Sequence, residues 1–389
     1  MNNPVVIQER RPMTFRWKLL VAALAFGALV LTGSGYALGA SVAATPTVDC
    51  DKPVSAPVDS TGHFTVTLVC IGPAPAPSES PSASPAAPSP SVSPSPSTSP
   101  SPSPPAGCPV AGTNVPGGAD PWSGCFPGPG NTGVPAGTVL TAYTGPCTIT
   151  AAGTVIDSKT VTCSTLDIRA ANVIIRKSML QGVNVTDEAS STASYRVEDS
   201  TVVNGTRDQC LCIGGHDFTA LRVEVRGGNR SMYCMLRCVI QDSWLHGQQL
   251  SVVLAQHGSG LREEQFTTAR HNTLVCDFPL VDDTTSLGCS ADLTGYPDFA
   301  PIHDNTIDRN LFLASSTVSF CAYGGATGGK PYSGSALNAT NQKFTDNVFQ
   351  RGSNGKCGAY GPITDFAVSR IGNVWSGNRW STGELVPAG

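Results

Sequence analysis

The chain has 389 residues, of which 14 are Cys, 31 are Pro and 13% are charged, and its formal net charge is −4. A length of this order accommodates more than one domain. A net-acidic chain lacks the basic footprint that sequence-independent nucleic-acid binding requires, so we expect no nucleic-acid partner.

The first 44 residues have the layout of an export signal. An uncharged stretch over 19–44 follows four basic residues, Arg10, Arg11, Arg16 and Lys18. A basic segment, a short apolar run and small residues are typical of a secretory signal peptide. The run from Leu19 to Leu38 is also long enough to span a bilayer, so an uncleaved membrane anchor is the alternative. In both cases we expect a secreted or cell-surface protein.

The rest of the chain divides into three parts. Residues 45–72 hold two cysteines and the alternating stretch 62–70, which predicts a small disulfide-closed β element. Residues 73–107 are almost wholly Pro, Ser and Ala, a composition that predicts a disordered linker. Residues 108–389 form the main domain, whose loop-rich start over 108–163 we expect to open the fold and cap its first coil.

A six-residue pattern recurs in the main domain: an apolar residue, two variable residues, Ser or Asn, one variable residue and a second apolar residue. Its polar residues are Ser178, Ser200, Ser243, Asn272, Asn310, Asn347 and Asn378, with Val223 in a weaker copy. Two inward apolar residues around a polar bend predict a corner between short strands, where Ser or Asn bonds its own backbone. Such a unit cannot bury its apolar face alone, so the copies must stack into an all-β solenoid.

The spacing of the copies predicts where function lies. The first four copies are about 20 to 23 residues apart, close to one solenoid coil, and the later ones are about 29 to 38 apart. The longer coils therefore carry inserted loops, which in solenoids emerge on one face and often bind the ligand. We expect the functional face to be built from residues 247–266, 277–303, 315–341 and 351–365.

Several segments resemble a known group of proteins. Residues 133–140 and 166–175 resemble the opening of actinobacterial right-handed parallel β-helix proteins, and residues 299–302, 330–332, 347–349 and 358–362 resemble their closing coils. The resemblance covers about 132–383 and implies the right-handed parallel β-helix of the pectate-lyase-like superfamily. That superfamily includes polysaccharide lyases, hydrolases, epimerases and non-catalytic adhesins, so the resemblance implies no single activity.

A partial motif supplies the candidate catalytic residues. Related β-helix proteins often carry a His-x-Asp-Gly-apolar-Gln segment beside the substrate groove, and residues 257–262 match it at His257 and Gly260. Ser259 replaces the Asp and Arg262 replaces the amide, which puts carboxylate-based roles at this position in doubt. His257 or Arg262 is a candidate proton acceptor or charge clamp, and Lys330 a candidate for stabilising a substrate carboxylate. The alternative is an exposed polar loop.

Other side chains are candidates for substrate binding. Tyr332, beside Lys330, suits a carboxylated sugar by hydrogen bonding and ring stacking. We expect His271 at the outer edge of a coil, near the loops, and a solvated corner residue is the favoured alternative to a binding role. Glu263 and Glu264 are a possible carboxylate pair for glycoside hydrolysis, although consecutive strand residues point to opposite faces.

A cluster of arginines is a further candidate for binding an anionic polymer. Its members lie within one coil: Arg222, Arg226, Arg230 and Arg237. Bidentate contacts from such a cluster suit uronates or phosphodiester polymers. A solvated surface interleaved with Glu224 is the simpler interpretation, and we take it as the default.

These observations favour a monomeric exported protein acting on an acidic polysaccharide or cell-surface glycan, by lyase-type β-elimination. The alternative is a non-catalytic surface module that binds glycan or protein. We expect no cofactor. The one metal alternative is a loop calcium site, although its aspartates lack an established calcium-loop spacing: Asp277, Asp282, Asp283, Asp292 and Asp298.

The cysteines are even in number and all follow the signal, which predicts disulfides in an oxidising compartment. Near neighbours predict the pairs Cys50–Cys70, Cys108–Cys125, Cys147–Cys163, Cys276–Cys289 and Cys321–Cys357, with Cys210 and Cys212 joined to Cys234 and Cys238. A zinc site at the last four cysteines is the alternative, but such sites usually occur in reducing compartments.

Overall fold

The computed structural model describes residues 54–58, 62–66, 107–186, 191–205, 211–250, 257–278 and 288–388. The chain divides into two compact units, Met1–Ser95 and Pro96–Gly389. In the first unit, β1 (Val54–Val58) pairs antiparallel with β2 (Gly62–Val66), which lies in the stretch predicted as a strand. The signal over 1–44, the linker over 73–106 and the Cys50–Cys70 pair lie outside the described residues. Among the described residues, no helix is long and apolar enough to cross a membrane.

The second unit is a three-sided solenoid. Face A contains β4 (Thr148–Ile149), β7 (Leu166–Ile168), β10 (Val183–Asn184), β13 (Leu211–His216), β16 (Arg230–Gln241), β18 (His257–Arg270), β20 (Gly288–Thr294), β23 (Phe320–Tyr323) and β26 (Gly361–Thr364). Face B contains β5 (Val155–Asp157), β8 (Val173–Arg176), β11 (Tyr195–Glu198), β14 (Phe218–Leu221), β21 (Thr306–Asp308), β24 (Lys343–Thr345) and β27 (Val374–Ser376). Face C contains β3 (Thr141–Ala142), β6 (Lys159–Thr160), β9 (Met179–Leu180), β12 (Thr201–Asn204), β15 (Glu224–Gly227), β17 (Trp244–His246), β19 (Thr273–Leu274), β22 (Leu311–Phe312), β25 (Val348–Phe349) and β28 (Arg379–Trp380).

The chain visits faces A, B and C in turn, and each strand pairs in parallel with the equivalent strand of the next coil. The long strands β16 and β18 bend from face A into face B, so these two faces form one continuous sheet. The prediction of an all-β parallel β-helix is therefore confirmed.

The core is a set of stacked apolar rows. On face B, Ile175, Val197 and Ala220 lie in register and are fully buried. On face C, the rings of Phe312 and Phe349 stack with centroids 4.7 Å apart. Contact between inward side chains of successive coils supplies the apolar burial that one coil cannot supply alone. The row ends where Trp375 and Trp380 pack against the core, as expected from the sequence.

The repeated polar residue stands at the corner between faces B and C. The residue before it adopts a positive φ at each copy: Lys177, Asp199, Arg222, Asp242, His271, Arg309, Asp346 and Gly377. The Ser side chains bond their own backbone as predicted, since Ser178 Oγ donates to the Arg176 carbonyl at 2.7 Å. They also lie inside the solenoid, where Ser200 Oγ accepts the Ser178 N–H at 3.0 Å. The corner residues thus join neighbouring coils.

The asparagines form a stronger version of this ladder. Asn310 Oδ1 accepts both the backbone N–H and the side-chain amide of Asn272 at 2.9 Å. Asn310 Nδ2 donates to the Ala269 carbonyl and to Asn347 Oδ1. Asn347 repeats the arrangement with Asn378. A buried side chain that makes four hydrogen bonds stabilises the corner and determines which residues face each other across the coils.

The long coils carry their extra residues on both sides of face A. Each segment predicted as an inserted loop contains a face A strand or part of one, so the interpretation of whole segments as loops is wrong. The strands in question are the first half of β18, β20, β23 and β26. Lengthening between strands leaves the parallel pairing intact, and the added loops therefore surround face A.

The start of the main domain lies elsewhere than predicted. Residues 107–131, here called the strap, run beside the late coils, where the Asn114 side chain donates to the Ser381 carbonyl at 2.9 Å. Phe126 covers Leu311 and Val348, which face outward on face C. The expectation that the whole of 108–163 caps the first coil is wrong, because these outward apolar residues are covered by the strap instead. Only the segment after residue 140 opens the solenoid.

Five disulfides lie in the described part of the chain. Four are those predicted: Cys108–Cys125, Cys147–Cys163, Cys276–Cys289 and Cys321–Cys357. The fifth joins Cys234 to Cys238, so the prediction that these two pair with Cys210 and Cys212 is wrong. Cys234 and Cys238 sit on one strand interrupted by the bend between faces A and B, which brings their Cα atoms to 5.8 Å. These disulfides indicate an oxidising compartment.

Candidate functional site

A polar cleft of about 220 Å³ lies at face A where β16, β18 and β20 meet two loops. The strands contribute Arg230, His257, Gly258, Ser259, Arg262, Ser290 and Thr294, and the loops contribute Tyr296, Asp298 and Lys330. The cleft thus gathers residues from three successive coils and from a loop of a fourth. It lies on the face that the inserted segments surround.

Arg262 organises the cleft. Its Nη2 lies 3.0 Å from Asp298 Oδ2 and 3.2 Å from the Tyr296 carbonyl. Its guanidinium also stacks on the rings of Phe299 and Tyr233, with distances of 4.9 and 5.3 Å to the centroids. Only 3% of the side chain is exposed. The two bonds from Nη2 hold the loop after β20 in place. A guanidinium stays protonated in proteins, so Arg262 is poorly suited to accept a proton.

Glu264 lies behind this network. It accepts a short hydrogen bond from the Tyr233 hydroxyl, and its Oε1 is 3.8 Å from Arg262 Nε. Burial raises the pKa of Glu264 to about 7, although Tyr233 and Arg262 favour the ionised form. Burial therefore favours the protonated form of this carboxyl far more than in an exposed glutamate.

Asp298 behaves in the opposite way. Burial alone would raise its pKa, but hydrogen bonds from Lys330 and Arg262 lower it below the ordinary value. Lys330 Nζ lies 3.1 Å from Asp298 Oδ1 and 5.0 Å from the centre of the Tyr296 ring. An ionised Asp298 thus holds two cations at the edge of the cleft, while the cleft keeps an excess of positive charge.

Arg230 and Ser259 are neighbours in the cleft, and neither side chain has a hydrogen-bond partner among the described residues. They pair in register across β16 and β18. The Arg230 side chain forms no hydrogen bond or ion pair with another described residue, and burial together with the neighbouring charge of Arg262 lowers its pKa. Ser259 is 1% exposed, and its Oγ has no partner in the described part of the chain. A guanidinium and a hydroxyl in this state favour an anionic ligand, because an unpaired buried polar group is costly.

The predicted catalytic residues lie close together. His257, Arg262 and Lys330 all line the cleft, although they come from β18 and from a loop far along the chain. His257 is exposed and makes no hydrogen bond with the described residues. Tyr332 lies in the Lys330 loop, where its backbone N–H donates to the Pro297 carbonyl at 3.0 Å. This bond ties the two loops of the cleft together, and Tyr332 itself is not part of the lining.

Glu263 points away from the cleft. It lies in register with Cys234 and is fully buried in the solenoid. Both carboxyl oxygens lack a hydrogen-bond partner among the described residues, and burial raises the pKa of Glu263 to about 8. Glu263 and Glu264 therefore occupy opposite sides of β18, as the alternation of a strand requires.

His271 belongs to a different part of the molecule. Its Nδ1 is 2.6 Å from Asp242 Oδ1, and its Nε2 is 3.0 Å from Asp120 Oδ2 in the strap. Burial alone would lower its pKa, but the two carboxylates raise it to about 9. The Phe126 ring stacks on the imidazole at 5.5 Å. His271 thus joins the strap to the solenoid and does not contact the cleft.

The aspartates considered for calcium are engaged separately. Asp277 accepts the Gly247 N–H, Asp292 accepts the Cys276 N–H, and Asp298 holds the two cations of the cleft. Asp282 and Asp283 lie outside the described residues. Asp292 is within 4.8 Å of Cys321 and Cys357, but these two sulfurs are bonded to each other and offer no thiolate to a metal.

The arginine cluster separates into paired and unpaired members. Arg222, Arg226 and Arg237 form ion pairs with Asp199, Glu224 and Asp217 on the surface. Arg230 alone of the four reaches the cleft. No local sequence signal distinguishes Arg230 from the other three, because the register between β16 and β18 determines which arginine enters the cleft.

Comparison with known proteins identifies no relative. No family model, no curated protein and no solved structure matches the chain. The family resemblance of the sequence segments therefore stays a prediction, and the cleft carries the functional argument.

Proposed function

We propose that this protein is exported and acts on an acidic polysaccharide, binding a carboxylated sugar in the cleft. The observation that carries the proposal is the half-buried Arg230 beside the Ser259 hydroxyl, two side chains that have no partner among the described residues. A ligand carboxylate would accept bonds from both and would satisfy them together. The pectate-lyase-like resemblance and the disulfides support the polysaccharide and the extracytoplasmic location.

The chemistry best suited to these groups is β-elimination. Arg230 and Lys330 would withdraw charge from the carboxylate and so acidify the adjacent C–H group. His257, exposed and without a partner among the described residues, is the candidate proton acceptor. The electron pair of the C–H bond would form the new C=C bond as the glycosidic C–O bond breaks, and water would protonate the leaving oxygen.

The second candidate is a non-catalytic glycan-binding module. It is favoured by Ser259, which stands where the related motif has an Asp, and by the engagement of Arg262 in ion pairs. Binding would then use Arg230 and Lys330 in the same way without proton transfer.

Uronate oligosaccharides test both candidates. Titration calorimetry should detect binding to the wild type and a loss of about tenfold or more in Arg230→Gln. Arg196→Gln is the matched control, because Arg196 pairs with Glu198 away from the cleft. Ultraviolet absorbance then follows unsaturated products, and elimination predicts that His257→Ala abolishes their release while binding persists. Binding without any product supports the module, and no binding across the panel contradicts the proposal.

A further inference from the structure

A row of aromatic rings, here called the ring track, begins at the edge of the cleft. The centroid of Tyr296, which lines the cleft, is 4.7 Å from that of Tyr323. Tyr323 is 5.9 Å from Phe320, and Phe320 is 5.8 Å from Tyr360. The track therefore leads from the cleft across the following coils without a gap between rings.

The track is partly exposed along its length and open to solvent at its far end. Tyr360 is 68% exposed, and the other three rings are partly exposed. Phe320 lies in register with Gly361, which adds no side chain above the sheet. Exposed, contiguous aromatic surface favours a binding role, because isolated apolar residues rather than connected rings are the usual feature of a solvated surface.

Charge differs between the cleft and the track. The cations Arg230, Arg262 and Lys330 all lie in the cleft, and Lys330 stacks on the first ring only. Within the described residues, no cation stacks on Tyr323, Phe320 or Tyr360. The nearby carboxylate of Asp365 contributes to raising the pKa of Tyr296, after burial and Tyr323. The track is thus apolar to slightly negative, while the cleft is positive.

We infer that the ring track binds uncharged sugar residues that adjoin the acidic residue in the cleft, so the glycan is a mixed polymer of acidic and neutral sugars. This inference rests on the proposed function and specifies its substrate. A sugar ring presents C–H groups on one face, and these pack on aromatic rings. A neighbouring carboxylate on the track would lie near Asp365, and among the described residues no cation stacks on the rings beyond Tyr296. A polymer of uronate alone therefore fits the track less well than one with neutral sugars.

Three probes separate the possibilities: glucuronic acid, a hexamer made only of uronates, and a hexamer alternating glucuronate with N-acetylglucosamine. Calorimetry should show that the alternating hexamer binds about tenfold more tightly than glucuronic acid. The all-uronate hexamer should exceed the affinity of glucuronic acid by a clearly smaller factor. Tyr360→Ala should lower the affinity for the alternating hexamer about three- to tenfold and leave the affinity for the monosaccharide unchanged. Tyr360→Phe keeps the ring and should bind like the wild type.

The outcomes distinguish this inference from the proposed function. The inference about the ring track is overturned if the two hexamers bind with equal affinity, or if Tyr360→Ala leaves the affinity for the alternating hexamer unchanged. In either case, binding of the monosaccharide in the cleft still supports the proposed function. Failure of all three probes to bind the wild type overturns the proposed function and the track with it. An unchanged melting temperature of Tyr360→Ala, expected for an exposed side chain, shows that any loss arises at the surface.

Discussion

The coils before β16 and those from β18 onward share one interior and differ outside it. In the early coils the corner is a Ser that accepts one hydrogen bond from the neighbouring coil, and the surface holds simple ion pairs such as Arg222–Asp199. In the late coils the corner is an Asn, and loops, disulfides and the cleft surround face A. The difference shows that a solenoid gains a site by lengthening its connections while the inward rows continue unchanged.

We expect the largest loss of stability when the Asn ladder of the late coils is interrupted. Asn310→Ala removes four hydrogen bonds and leaves the buried Asn272 N–H without its side-chain acceptor. We expect a loss of about 3–5 kcal/mol in the free energy of unfolding. Ser200→Ala, the equivalent change in the early coils, should cost about 1–2 kcal/mol. Urea unfolding followed by circular dichroism measures both, and equal losses would remove the distinction between the two kinds of corner.

Much of this interior could be predicted from sequence. The apolar residues around Ser178 or Asn347 repeat at coil intervals, so the corner between faces B and C is a local signal. Four disulfides were predictable because their partners are near neighbours. The face A strands were harder, since β20 and β23 lie within long inserted segments and carry no comparable pattern.

The site was only partly predictable. His257, Arg262 and Lys330 could be selected by motif and loop position. Arg230 could be selected only as one of four clustered arginines, and Tyr296 could not be selected at all. Arg230 differs from its paired neighbours only because strand register places it beside Ser259. The strap was assigned to the wrong place for the same reason, because its partners Leu311 and Val348 are far along the chain. Long-range register is the information that a single sequence lacks.

A second prediction concerns the buried carboxyl of the first late coil. The pKa of Glu263 is raised to about 8, so the native state holds its proton while the unfolded state releases it above about pH 4.5. Stability should therefore fall as pH rises from 4.5 to 8. Glu263→Gln should be more stable than the wild type by on the order of 3 kcal/mol at pH 9, and similar to it at pH 4.

Denaturant unfolding at the two pH values measures this difference. Glu384→Gln, which changes an exposed carboxylate in the last coil, is the control and should show no gain at pH 9. A Glu263→Gln variant without a pH-dependent gain would mean that this carboxyl is paired or hydrated.

A smaller effect concerns the strap, which only the late coils carry. The two carboxylates beside His271 raise its pKa to about 9. The two ion pairs therefore stabilise the folded protein fully below pH 6.5, and this contribution is lost as the pH rises through 9. His271→Gln should cost about 2 kcal/mol at pH 6 and much less at pH 10. Denaturant unfolding at both pH values measures this cost. Asp242→Asn removes one of the two ion pairs, so it should lower the free energy of unfolding at pH 6 by less than His271→Gln does. A cost for His271→Gln that is the same at both pH values would show that the ion pairs do not hold the strap.

The central claim is that the late coils form a binding site for a sugar carboxylate, and a crystal structure of the protein with a bound acidic oligosaccharide tests it most directly. The account predicts the carboxylate within about 3 Å of the Arg230 guanidinium and the Ser259 hydroxyl. A glycan bound on the early coils, or in the cleft with its carboxylate away from Arg230, would contradict it.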